Sequence, residues 1–275
     1  MPDQFKTCMI LNPASASGQT RQTWPVLEAH LKRVDFQFDL RATTGPGTAP
    51  ELARQAIQEG FEMVVAIGGD GTINEVVNGF FEDGRPLNPE AVLGILCVGT
   101  GGDFIKSVGI PRNAKQAVNT LLGRATRTID VGQCSFVDHF GKQVERIFVN
   151  IADIGVGGET VERINRRSGK STGKIPYFLS SLVSLIQYKN KKMRIQIDDV
   201  FDEERVVSLL AVANGQYFGG GMHIAPQAKV DDQQFDVVIV GDIGTFTFLA
   251  NLRRLYAGTI LSHPRVDLFR GRHVK

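Results

Sequence analysis

The sequence predicts an α/β N-terminal domain over residues 1–125, with a mostly parallel, doubly wound sheet, and a mainly antiparallel β domain over residues 126–275. Three observations predict it. Short β-branched runs alternate with helical periodicity through the first domain, the pattern of stacked βαβ units. Every glycine-rich turn there follows a strand, the end at which open parallel sheets hold their ligands. From Thr126 onward strand-like runs dominate and few helices intervene.

Thr7 to Leu11 reads as a buried strand that stops at Asn12-Pro13, because proline cannot donate to a ladder. Arg21 to Val34 has helical spacing, with Trp24, Leu27, Leu31 and Val34 on one face. Phe36 to Leu40 reads as a second strand. Thr48 is placed to cap a helix in which an early Pro50 is tolerated and which Gly60 ends. Met63 to Ile67 is the next strand, and a helix is expected from Ile73 to Phe80, with Thr72 and Glu75 at capping-box spacing. Val92 to Val98 is another strand, followed by Gly99-Thr100-Gly101-Gly102-Asp103, and Asn113 to Leu122 is a helix. In the second domain Thr128–Val131, Arg146–Ile151, Met193–Ile197, Val206–Ala213 and Phe235–Val240 read as strands, and Tyr177–Gln187 and Thr245–Leu261 as helices.

Composition excludes several classes. With 42% hydrophobic and 22% charged residues the chain is globular, and a net charge of +2 does not mark a nucleic-acid binder. Cys8, Cys97 and Cys134 lack metal-binding spacing and are odd in number, which argues for reduced thiols and a cytoplasmic setting. The start of the chain lacks the pattern of a signal peptide, and no apolar run approaches the ~20 residues of a membrane span, so any membrane contact is expected to be peripheral.

Gly68-Gly69-Asp70-Gly71-Thr72, between a strand and a helix, carries the clearest chemistry. Residues without Cβ let backbone N–H groups approach phosphate oxygens, and a helix N-terminus adds a favourable dipole. Asp70, expected at the apex, would hold Mg²⁺ or orient the nucleotide; the rival reading is a plain turn. Gly169-Lys170-Ser171 and Gly155-Val156-Gly157 resemble fragments of nucleotide motifs, but each lacks a required glycine. The apolar surface around Tyr177–Ile186 has basic flanks, from Arg163 to Lys174 and from Lys189 to Arg194. It reads equally well as a lipid-facing or a core-facing helix. The five histidines show no metal spacing.

Several ordered motifs together resemble the bacterial diacylglycerol kinase family, which is related to sphingosine kinases and NAD kinases. They are Asn12-Pro13, Gly68 to Asn74, Gly99-Thr100-Gly101 with Asp103, Asn214 to Met222, Ile224-Ala225-Pro226 and Asp231-Asp232. The resemblance runs from Lys6 to the last residue. It implies the two-domain fold of that family and an ATP- and Mg²⁺-dependent transfer of phosphate to a lipid hydroxyl. It also implies ATP contacts from Asn12, Pro13, Ala14, Ser15 and Ala16, from Thr43, from Gly68, Gly69, Asp70, Gly71, Thr72, Ile73 and Asn74, and from Thr100. Asp70 is the implied catalytic residue. A Mg²⁺ site is implied at Asp232, with backbone oxygens of Lys229 and Gln234. The implied partner is a lipid at a membrane surface, without nucleic acid or a transmembrane segment; a homodimer stays open.

The chain departs from the family at Cys97, where proline is usual, at Gly102, where asparagine is usual, and at Gln233, where glycine is usual. The family's C-terminal Asp-Gly-Glu, whose carboxylate activates the lipid hydroxyl, has no match, since no glutamate follows Glu204. The expectation is a β domain without its last strands and a transfer slowed ~10²–10⁴-fold by loss of a general base. Two other readings stay open: a nucleotide-binding module without catalysis, and an NAD kinase, which shares the Gly-Gly-Asp-Gly-Thr loop.

Overall fold

Two strands of unbroken apolar sequence organise the first half of the chain. β1 (Thr7–Leu11) and β3 (Met63–Gly68) are buried at every residue. With β2 (Asp39–Ala42) and β6 (Val92–Cys97) they form a four-stranded sheet of order β2-β1-β3-β6, parallel throughout. A computed structural model describes residues 4–98, 102–155 and 190–275.

Alternation along these strands sends side chains to two faces, and each face has its own helices. Cys8, Ile10, Val64 and Ala66 pack against α2 (Ala49–Gln58) and α3 (Asp70–Asn78). Met9, Leu11, Met63, Val65 and Ile67 pack against α1 (Gln19–Arg33) and α5 (Ala114–Leu122). The sheet is therefore doubly wound. Truncating a fully buried residue such as Ile67 to alanine would cost about 2–5 kcal/mol. α4 (Asp103–Val108) follows β6, and β4 (Phe81–Glu82) and β5 (Arg85–Pro86) form a small hairpin.

Some boundaries differ from the sequence reading. The second strand lies at Asp39–Ala42, not Phe36–Leu40, because Phe36 is drawn into the core beside α1 and Phe38 rests edge-on against Trp24. α3 starts at Asp70 with Gly69 as its N-cap, three residues before the expected Ile73, and Thr72 and Glu75 form no capping box. The Thr72 hydroxyl instead accepts a hydrogen bond from Asn12. Thr48 sits at the N-cap of α2, but its hydroxyl donates back to the Gly45 carbonyl.

The two compact units divide at Met1–Val149 and Asn150–Lys275, not at 125/126. Thr128–Val131 is not a strand; β7 (Gly132–Val137) and β8 (Gln143–Phe148) form a hairpin that belongs to the first unit. Ile147 and Val149 enter its core, and the Asn78 side chain bonds both the N–H and the carbonyl of Ile147.

The second unit is an antiparallel sheet of order β10-β11-β14-β15. Its long central strand, β11 (Phe201–Ala213), pairs along one edge with β9 (Ile151–Gly155) and β10 (Lys191–Ile197) in succession, and along the other with β14 (Phe235–Gly241). Between β11 and β14 lies a small hairpin of β12 (Tyr217–Phe218) and β13 (Met222–His223). After β14, α6 (Thr245–Tyr256) leads through a short turn, Ile260–Ser262, to β15 (Val266–Gly271). α6 ends before the expected Leu261. The expected helix Tyr177–Gln187 with its basic flanks from Arg163 to Lys189, Gly169-Lys170-Ser171 and Val156-Gly157 lie outside the described residues.

The turn before β14 has the conformation that suits the glycine usual at position 233 in the family that the chain resembles. Gln233 has φ +59°, a left-handed conformation that glycine adopts without strain. Gln233→Gly is expected to stabilise the protein by roughly 0.5–1 kcal/mol, net of the unfolded-chain entropy of glycine. Chemical denaturation of the two proteins measures it, and an unchanged midpoint would show the turn to be unstrained.

Candidate nucleotide-binding edge

The chain leaves β1 for one side of the sheet and returns through β3 on the other. Open α/β sheets hold their ligands at such a reversal, here outside the C-terminal ends of β1 and β3. Asn12, just past β1, ties the two sides together. Its N–H donates to the Ile67 carbonyl (3.0 Å), its side-chain amide donates to the Thr72 hydroxyl (2.9 Å), and its Oδ1 accepts from the Ala14 N–H (3.1 Å). Thr43, after β2, donates its N–H to Leu11 (2.9 Å), and Val98, after β6, donates to Gly68 (2.9 Å). All four strand ends thus deliver loops to one edge.

The loop after Asn12 has an unusual backbone. Ala14 is right-handed helical, whereas Ala16, Ser17 and Gly18 have φ of +51°, +59° and +83°. Successive N–H groups in right- and left-handed turns form concave anion sites, and non-glycine residues held at positive φ cluster at ligand sites. Pro13 and Ser15 are half-buried and Ala14 is exposed.

Gly68 to Asn74 divides by role. A Cβ on Gly68 would come within 2.4 Å of the Thr72 hydroxyl, so packing requires that glycine. Gly69 and Gly71 are different. Among the described residues a Cβ on either meets nothing within 4 Å, and neither has positive φ. The reason is that Gly71 lies in the first turn of α3 and not in a loop. Ile73 is fully buried in the core, so its side chain faces away from the edge. The Asn74 carbonyl accepts from the Asn78 side chain (2.8 Å).

Asp70 is not a bare carboxylate at a loop apex. Its Oδ2 accepts from the N–H groups of Gly102 (2.8 Å) and Asp103 (3.1 Å), and its Oδ1 from that of Phe104 (3.0 Å). It therefore fixes the turn after β6 against the first turn of α3. Gly102 there has φ +88°. That conformation explains why glycine replaces the family's asparagine, the next most tolerant residue at positive φ. Burial pushes the Cys97 thiol up to about 11, with Asp70 adding to the effect and Arg112 opposing it, so it stays neutral at pH 7. Asp103 is buried and paired with Lys106 (2.9 Å). Thr100 lies outside the described residues. The structure brings together Asn12–Ala16, Thr43 and Gly68–Thr72.

Sequence reading missed the ring of N–H groups around Asp70 and the left-handed turn at Ala16–Gly18. The run of small residues Ala14-Ser15-Ala16-Ser17-Gly18 was the one available signal for the latter.

The residues implied for Mg²⁺ lie in the second unit. Lys229 is exposed, and Asp232 and Gln234 are half-buried in the turn before β14. Asp232 accepts from the Gln234 N–H (3.2 Å) and is ion-paired with Arg270. Among the described residues no group of three or more His, Cys, Asp or Glu side chains is arranged for a metal. As arranged, the donor set does not fit Mg²⁺, because its one carboxylate already holds a fixed cation.

The first unit is thus a doubly wound α/β domain and the second an antiparallel β domain. The chain matches the family model described as diacylglycerol kinase catalytic domain over residues 6–134, and that described as YegS C-terminal NAD kinase beta sandwich-like domain over residues 150–275. A diacylglycerol kinase of Staphylococcus haemolyticus is 30% identical over 94% of this chain and 74% of its own length, and one of Bacillus subtilis is 27% identical over 97% and 84%. Two Bacillus anthracis crystal structures share the fold. One, described as a diacylglycerol kinase, aligns over 100% of this chain and 86% of its own at 23% identity and TM-score 0.71; the other gives 22% identity and TM-score 0.75 with the same coverage. This chain belongs to the diacylglycerol kinase family. No helix among the described residues is long and apolar enough to cross a membrane.

Proposed function

We propose that this chain is a lipid kinase that takes Mg-ATP as phosphate donor and a lipid hydroxyl, such as that of diacylglycerol, as acceptor. The observation that carries the ATP site is the pair Gly69 and Gly71. Among the described residues neither backbone conformation nor packing calls for glycine at these positions, whereas a phosphate group seated against the backbone would. Asn12 to Ala16 and the first turn of α3 would then cradle the phosphates, with Thr43 at the margin of the site. Asp70 would act by holding the Gly102–Phe104 turn against that cradle. Phosphoryl transfer rests mainly on positioning and charge neutralisation, which such loops supply. The names of the relatives support the lipid acceptor.

The test is phosphate transfer from radiolabelled ATP to diacylglycerol in mixed micelles, with NAD offered in parallel and ATP affinity measured by calorimetry. Labelled phosphatidic acid together with saturable ATP binding is the expected result. Labelling of NAD alone would make the chain an NAD kinase, and absence of ATP binding would end the reading.

A further inference from the structure

Asp236 is 1% exposed and lies directly opposite Arg270 in the β14–β15 ladder. The Arg270 Nε donates to Asp236 Oδ1 at 3.0 Å, and the other end of the guanidinium pairs with Asp232 Oδ2. One planar cation thus bridges two carboxylates, one in the strand and one in the turn before it. Asp236 Oδ2 is buried without a hydrogen-bond partner among the described residues, so the strand carboxylate depends on Arg270 for its compensation. A divalent ion entering at Asp232 would have to displace the guanidinium, leaving Asp236 charged, buried and unpaired, which is strongly unfavourable.

We propose that Arg270 occupies the cation position of this turn, locking residues 229–236 to β15, so that the fold needs no metal at Asp232. Two carboxylates left without the guanidinium would present the hard oxygen donors that suit Mg²⁺ or Mn²⁺. The position is therefore a cation site whose occupant is a side chain. The proposal does not depend on ATP chemistry, and its test contains no nucleotide.

Thermal unfolding of the full chain is measured in chelator, in millimolar Mg²⁺ and in millimolar Mn²⁺. The parent is expected to melt within about 1 °C in all three. Arg270→Met should melt on the order of 5–10 °C lower in chelator. Millimolar Mg²⁺ or Mn²⁺ should restore part of that loss, and Asp232→Asn added to Arg270→Met should abolish the restoration. Should Arg270→Met not fold, Arg270→Lys, which keeps the charge but cannot bridge, should melt between the two and also respond to divalent ions. A parent melting temperature that rises with Mg²⁺, and does not in Asp232→Asn, would overturn the proposal by showing that the metal displaces Arg270. A folded Arg270 variant that loses nothing, or regains nothing with either ion, would equally overturn it.

Discussion

Gly71→Val is expected to fold as well as the parent and to bind ATP at least ~10²-fold more weakly, a loss of about 2.7 kcal/mol. The folding half follows from the local geometry. Gly71 is exposed in the first turn of α3, its backbone is helical, and an added Cβ meets nothing within 4 Å among the described residues. Valine has a slightly better helix propensity than glycine, so the melting temperature should move by no more than about 2 °C. The binding half follows because the same open space is where a phosphate would rest against the backbone. Gly68→Ala is the contrasting control: its Cβ would strike Thr72, so it should lose stability as well as affinity. Calorimetric titration with ATP, beside a thermal melt, separates the two variants. Equal ATP affinity in Gly71→Val would place the phosphates elsewhere.

Asp70→Asn is expected to lower both stability and kcat/KM, the latter by ~10²-fold or more. The carboxylate accepts three backbone N–H groups with its two oxygens. An asparagine keeps one oxygen and turns an NH₂ donor toward the remaining N–H groups, so at least one bond is lost and a donor faces a donor. Hydrogen bonds to a charged acceptor contribute about 1.5–3 kcal/mol each, so a loss on the order of 2–4 kcal/mol is expected. Because the proposed role is to hold the Gly102–Phe104 turn, ATP binding should weaken by a similar factor with and without Mg²⁺. If only the Mg²⁺-dependent part of binding were lost, Asp70 would instead be the group that organises the metal.

The two variants separate what local sequence can express from what it cannot. The β1 and β3 runs are legible because strands buried on both faces need uninterrupted apolar residues. The Gly68–Thr72 turn is legible because its composition departs from that of ordinary turns. Helix starts and strand limits were less legible. Thr72 has the residue type and spacing of a cap, yet its hydroxyl is taken by Asn12, 60 residues away in the chain. The hairpin β7–β8 reads as part of a β domain by its composition, but Ile147 and Val149 pack into the α/β core.

Alternation of apolar runs and helical spacing, by itself, determined the parallel sheet, its two helical layers, the order of its loops and the antiparallel character of the second half. These follow from periodicities of two and 3.6 residues and from turn chemistry, which act between near neighbours. Tertiary structure alone decided what the charged side chains do. Asp70 meets N–H groups 32 to 34 positions away, and Arg270 meets carboxylates 34 and 38 positions away. Such pairings depend on strand register and loop path, and a shift of one residue would turn Arg270 to the opposite face of its sheet, away from Asp236.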